Sequence, residues 1–372
     1  MMRTQFRWLG FLLILLLATP AGASTVKIWV LNMVGNDIQV IDTATNKIVQ
    51  TIPGIPSPHG VAFSPDGRLA YVSSEAEDQD NNLYLVDTKT GKILKKAPLT
   101  SRRGNVPAIS KDGTRLIVCI GPPRDDQGGV KHQGGDLDII DTSTLQVTKV
   151  IHSPQGGHDC YTSKDGKYWI AGSGVGGPGS QVYAIDEQTG EPLWTLPFLE
   201  GVAPIGLEAG PDGSPQRLFV TPLFNKKREV AIVDFATHKE TSRIEIPDQP
   251  SGFRVAPPLA RRNNGIPVHG LDISPDGKLM AISSRAANAI YFYSLPDVKY
   301  LGFVPAPTVE GAVAPNNGSD PSWVTFTPDN KTLYVACSAA DVVAVIDVKT
   351  MKEVARIKTD HQPDHVWPLV VP

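Results

Sequence analysis

One turn recurs along this chain at a spacing that fixes the architecture. Ser64-Pro65-Asp66-Gly67 returns as Ser110-Lys111-Asp112-Gly113, Ser163-Lys164-Asp165-Gly166, Gly210-Pro211-Asp212-Gly213, Ser274-Pro275-Asp276-Gly277 and Thr327-Pro328-Asp329-Asn330. Each turn follows one short apolar strand and precedes a second, such as Leu69-Ala70-Tyr71-Val72-Ser73. A variable gap then leads to a third strand ending in Asp, a Thr-x-Lys-like turn and a fourth strand. A period of about 45 to 60 residues built this way is that of a four-stranded propeller blade. β-branched and aromatic residues alternate and no helical period is present, so the class is all-β.

The third-strand signature reads Val40-Ile41-Asp42, Leu85-Val86-Asp87, Ile139-Ile140-Asp141, Ala184-Ile185-Asp186, Ile232-Val233-Asp234 and Val345-Ile346-Asp347. The sixth copy departs from it with Phe292-Tyr293-Ser294. An aspartate there can accept hydrogen bonds from the N–H groups of the following turn, a structural reason for its recurrence. The count of blades closes only across the termini. The first copy starts at its second strand (Lys27 to Asn32), and Asp364 to Val371 resembles the missing innermost one. The prediction is a seven-bladed β-propeller of four-stranded antiparallel blades, one domain over 24–372, with the C-terminal strand joining blade 1 and removing the open edge.

Residues 1–23 read as a secretory signal. Arg3 and Arg7 give a basic start, Leu9 to Leu17 an apolar run, and Ala21-Gly22-Ala23 a small-residue cleavage pattern. The mature chain is expected to be exported, periplasmic or secreted, with no membrane span. The net charge of −3 leaves no basic footprint for nucleic acid. Cys119, Cys160 and Cys337 form no disulfide framework. One pair could close in an oxidising compartment. Cys119 and Cys337, at matching central-strand positions of distant repeats, are expected as buried small hydrophobes.

Tyr71-Val72, Tyr334-Val335 and the neighbouring SPDG, IDTATNKIV and VIDVKTMKEV stretches resemble the YVTN-type propeller repeat, within the wider WD40-YVTN-like and nitrous oxide reductase N-terminal-like superfamily. The resemblance spans essentially the whole mature chain. It implies the architecture and not one activity, because that superfamily includes copper, haem d1 and amine dehydrogenase propellers, thiol oxidases, lactonases and surface proteins.

The residues that carry chemistry share one register. Seven positions before the turn Asp stand His59, Asn105, His158, Ile205, His269 and Ser322, and Asp364-His365-Val366-Trp367 repeats the segment once more. Four of the eight histidines therefore fall at one repeat position. Propeller geometry puts that position at the channel mouth, on the face that also carries the long loops. A ring of imidazoles there is a candidate site for copper, zinc, iron or nickel, and export favours copper. His59, His158, His269 and His365 are the predicted ligands. His132 and His361 could add donors from loops, and Cys160, in phase with His158, could be a soft ligand one layer deeper. The alternative for the same histidines is purely structural, each imidazole hydrogen-bonding the backbone of a neighbouring blade. Arg102, Arg103, Arg261 and Arg262 are candidates for binding an anionic substrate or the propionates of a haem.

Other signals are weaker. Glu75, Glu77, Asp78 and Asp80 lack EF-hand spacing and read as a solvated rim. No GxSxG elbow and no CxxCH are present. Three functions fit: an exported metal- or cofactor-dependent oxidoreductase, a non-catalytic binding or scaffold propeller using its loop face, and a lactonase-like hydrolase with a divalent Lewis acid. A small molecule or a protein at the loop face is the expected partner, and a monomer the expected state.

Overall fold

The computed structural model describes residues 25–371, apart from 77–79, 102, 122–134, 224–226, 248–253, 255 and 257–265. Among the described residues every regular element is a β-strand, and the strands form seven four-stranded antiparallel sheets. Blades 2 to 7 each use four consecutive strands. Blade 1 takes its innermost strand, Pro363–Val371, from the other end of the chain and pairs it with Thr25–Asn32. Trp29 faces Trp367 and Leu31 faces His365 across that closure. The predicted fold and its closing strand are both present.

Burial explains the residue pattern. The middle strands of a blade lie between two neighbouring blades, so both faces are covered and the sequence is apolar almost throughout, as in Thr332–Cys337 and Val342–Asp347. The outermost strands keep period-2 alternation because one face meets water; Lys47–Pro53 and Lys352–Lys358 do so. The core is correspondingly a set of interblade layers. Phe219, Met280 and Tyr291 join blades 5 and 6, while Val30, Tyr334 and Val366 join blade 1 to blade 7.

The recurring turns work as their residues dictate. Ser64 Oγ donates to Asp66 Oδ1 at 2.6 Å, and the Leu69 N–H returns to Ser64 Oγ at 3.0 Å. The fourth turn residue has positive φ, 68° at Gly67, and the copy without glycine places Asn330 there at 61°. The third-strand aspartates also behave as read. Asp42 Oδ1 accepts from the Thr45 N–H and Oγ1, each at 3.0 Å, and Asp347 does the same for Thr350. In blade 6 the pattern inverts: Ser294 Oγ donates to Asp297 three residues on.

One cysteine expectation is corrected. Cys119 is not a lone hydrophobe but is bonded to Cys160, tying the second strand of blade 3 to the innermost strand of blade 4. Cys337 is the buried free thiol that was expected.

Candidate metal centre

The register histidines stand at or just before the start of the innermost strands of blades 1, 2, 4 and 6. In blades 2 and 6 the ladder is interrupted there, between Pro58 and Val61 and between Val268 and Leu271. Such an interruption releases a residue from regular alternation and re-aims its side chain. In blade 4 the ladder begins only at Cys160, and His158 is held by other bonds. Its N–H donates to Gly172 O at 2.8 Å, and its carbonyl accepts from the Val106 N–H of blade 3 at 3.1 Å. A Cβ on Gly157 would lie 2.9 Å from Cys119 Cβ, so glycine is required where the chain passes the disulfide.

All four imidazoles are buried, at 2% exposure for His59, 7% for His158, 5% for His269 and 0% for His365. Their ring centroids are 4.2 Å apart for His59 and His365, 6.3 Å for His59 and His158, and 6.2 Å for His158 and His269. Trp323 fills the gap on the remaining side, 4.1 Å from His365 and 6.0 Å from His269. The layer is therefore not a uniform ring. His59, His365 and the carboxylate of Asp364 form its compact part, with one donor atom from each within 4.8 Å of the others. His158 and His269 stand one step further round.

Buried charges surround this layer. Asp364 Oδ2 is 3.4 Å from His365 Nδ1 and 3.7 Å from His59 Nδ1, and Glu75 Oε2 is also 3.7 Å from His59 Nδ1. Asp159 Oδ1 is 3.0 Å from His158 Nδ1. Arg103 pairs with Glu75, and Arg285 pairs with Asp320 at 2.7 Å. Ser322, at the register position of blade 7, links Arg285 to Asp364 by hydrogen bonds of 3.1 and 3.0 Å. Buried at the layer, among the described residues, are thus the carboxylates of Glu75, Asp159, Asp320 and Asp364 and the guanidiniums of Arg103 and Arg285.

The electrostatics keep donors available. Burial, reinforced by His365, pushes His59 down to about 3. Burial and then Arg285 hold His269 well below the usual imidazole range. Both rings are neutral at physiological pH, the form that offers a lone pair to a metal. Burial drives the Asp364 carboxyl upward, but His365, His59 and Arg285 outweigh it and hold Asp364 well below the usual carboxylate range. His269 Nδ1 lies 3.1 Å from the Ser322 carbonyl, which fixes the proton on Nδ1 and leaves Nε2 as the donor. Asp159 Oδ1 stands 3.0 Å from His158 Nδ1, but the two make no hydrogen bond.

The structural alternative can be tested on the ring nitrogens. His269 satisfies it in part, through Ser322. Both ring nitrogens of His59 and of His365 are buried without a hydrogen-bond partner among the described residues, as are both amide atoms of Asn105 in blade 3. Buried polar atoms left so are rare in folded chains and call for an explanation. Distances of 3.4 to 3.7 Å to carboxylates are too long to supply one. A bound ion would, and the donor set of imidazoles with one carboxylate would suit a transition metal.

The other predicted site residues fall as follows. Cys160 cannot be a thiolate ligand, because its sulfur is bonded to Cys119. His361 is exposed and faces Asp341 at 3.3 Å, away from the histidine layer. Arg103 is not at an open mouth; its guanidinium is buried against Glu75. Glu75 and Asp80 are buried rather than a solvated rim, and Asp80 bonds the Tyr84 hydroxyl. His132, Arg102, Arg261, Arg262, Glu77 and Asp78 lie outside the described residues, as does the N-terminal segment read as a signal. Asp364, Asp159, Arg285 and Trp323 were not anticipated. The first two adjoin register histidines in sequence, which was the available signal.

Fold and site together define a seven-bladed β-propeller with a buried histidine and carboxylate layer on its axis. Among solved structures it is similar to hydrazine synthase of Kuenenia stuttgartiensis, with a TM-score of 0.67 and 20% identity, covering 86% of this chain and 92% of that one. It is also similar to the dihydro-haem d1 dehydrogenase NirN, with a TM-score of 0.59 and 16% identity, covering 89% of this chain and 63% of that one. Likeness at these identities shows the shared propeller fold. Among curated proteins, YncE of Salmonella typhimurium is 25% identical over 128 residues, 34% of this chain and 33% of that protein. Antigen Lp49 of Leptospira interrogans is 34% identical over 76 residues, 20% of this chain and 16% of that protein. The match thus spans about a third or less of each curated relative. No family model matches the chain.

Proposed function

We propose that this chain is an exported, YVTN-like propeller that binds one transition-metal ion in its axial histidine layer, copper being the first candidate. His59, His365 and Asp364 form the primary donor set, and His158 and His269 complete the coordination from blades 4 and 6. The observation that carries this reading is the pair of buried imidazoles, His59 and His365, with no hydrogen-bond partner at either nitrogen among the described residues, beside a buried carboxylate. Such an ion supplies Lewis acidity or one-electron chemistry, which puts an oxidoreductase ahead of the scaffold and hydrolase alternatives. The signal-like N-terminus supports an exported setting, where copper is a natural partner.

Elemental analysis of the untagged mature protein, with an absorption spectrum on the same sample, tests this. About one equivalent of metal is expected in the wild type, with sharply reduced occupancy in His158→Ala and His269→Ala variants that retain the fold. Full occupancy in both variants would overturn the ligand assignment. Metal-free wild-type protein that takes up neither copper nor zinc on titration would overturn the reading itself, and a Soret band would replace it with a haem site.

A further inference from the structure

Beneath the histidine layer the propeller axis widens into a chamber of about 450 Å³, bounded by the innermost strands of blades 1, 2, 3, 4, 6 and 7. Trp323 joins the two levels, lining the chamber while its ring stands 4.1 Å from that of His365. Phe63, Tyr161 and Trp367 supply further aromatic walls. On the turn face the chamber meets a wider opening of about 620 Å³ between blades 4, 5 and 6, and the two share Thr162, Ile273 and Pro275. The chamber is therefore reached from the short-turn side, opposite the long loops.

Its polarity is one-sided. Asp272 is the single charged residue among its lining residues, which include no lysine, arginine or histidine. Asp272 Oδ1 accepts from the Ile273 N–H and Oδ2 from the Phe326 N–H of blade 7, each at 2.9 Å. Those bonds, with one from the Thr325 side chain, fix the carboxylate and leave part of its acceptor capacity free. Burial pushes its carboxyl up to about 7, the behaviour of an acid that no cation accompanies. A fixed carboxylate in a chamber lined by five aromatic residues is complementary to an organic cation with an apolar body.

We propose that this chamber binds a small protonated amine with an aromatic or aliphatic body, which enters from the turn face and lodges under the histidine layer against Trp323. Binding there needs no metal, so it stands or falls separately from the metal reading. The test uses the metal-stripped full chain and two probes of one shape, benzylamine and benzyl alcohol, followed by calorimetry and by quenching of tryptophan fluorescence. Benzylamine should bind about tenfold more tightly than the alcohol, the scale of a cation among aromatic rings with a carboxylate partner. Asp272→Asn, which keeps one of the two oxygen acceptors that the backbone uses, should erase that preference. Thr162→Trp, at the neck shared with the outer opening, should abolish benzylamine binding. Equal affinity for the two probes, no benzylamine binding below about 10 mM, or undiminished binding in Thr162→Trp would each overturn it. If Asp272→Asn fails to fold, the wild-type probe pair and the Thr162 variant still decide.

Discussion

Reducing the Cys119–Cys160 bond should loosen the ring between blades 3 and 4 and the histidine that sits beside it. The bond closes a segment with a sequence separation of 41 residues. Confining a loop of that length in the unfolded chain removes about 13 cal/mol/K, or about 4 kcal/mol at 25 °C in the chain-entropy description. Unfolding entropy of about 2.1 cal/mol/K per residue gives about 730 cal/mol/K for a ring of this size, so the expected loss is about 5 °C in Tm. Both sulfurs are buried, at 0% and 1% exposure, so reductant added to folded protein acts slowly. The comparison is therefore between protein refolded with and without reductant, melted in matched buffers and followed by the fluorescence of Trp169, which packs in the same layer. Thiols titrated under denaturing, non-reducing conditions should number one, Cys337, rather than three. His158 lies two residues before Cys160, outside the strand ladder, so the reduced protein should also hold its metal less tightly. Coincident melting curves, or three titratable thiols in the oxidised preparation, would refute this reasoning.

Two further outcomes follow from the same structure. Glu187 is buried between blades 3 and 4, accepts the Lys111 N–H at 2.9 Å, and is pushed up to about 7 by burial. A carboxyl raised above its unfolded value favours the folded state at low pH and loses that advantage as pH climbs from about 4 through 7, so Glu187→Gln should gain about 1–2 kcal/mol at pH 8 and nothing at pH 4. Denaturant melts at the two pH values check the sign; a gain of equal size at both would show that the charge is not the cause. Metal at a hundredfold excess over its dissociation constant should stabilise the fold by about 2.7 kcal/mol, or about 4 °C, and chelation should reverse it. An unchanged Tm with copper and with zinc counts against an axial site.

The fold was legible because a propeller repeats its instructions. Each blade restates the Asp-Gly turn, the buried middle strands and the strand-ending aspartate, so an error in one copy is outvoted by the others. The histidine layer was legible for the same reason, since register alone puts His59, His158, His269 and His365 at one level. What register could not supply is the second dimension of the site. Glu75 lies sixteen residues beyond His59 (75 − 59), in what composition marks as a charged rim, yet the fold brings it back beside that ring against Arg103. Cys160 shares the phase of His158, which suggested a ligand, but the same phase aims it at Cys119 on the neighbouring blade. Alternation along a strand tells which residues share a side; it does not tell which neighbour stands there. The elaborated loops drew attention to one face, while the described chamber opens on the other.

Closure and site are one event in this chain. His59 and His365 are separated by 306 positions (365 − 59), and their rings come within 4.2 Å only because the last strand completes the first blade. The closing strand brings Asp364 with it, and Asp364 accepts from Ser322 and Ser338 of blade 7 while facing His59 of blade 2. The compact donor set therefore spans the seam of the ring on both sides. An ion held there would tie the C-terminal strand to blade 2, across the seam between Pro363–Val371 and Thr25–Asn32. The disulfide does the corresponding work between blades 3 and 4, beside His158. A covalent tie and a proposed coordinative one would thus fall at two places around the same layer. A ligand that prefers the closed seam must, by linkage, resist its opening.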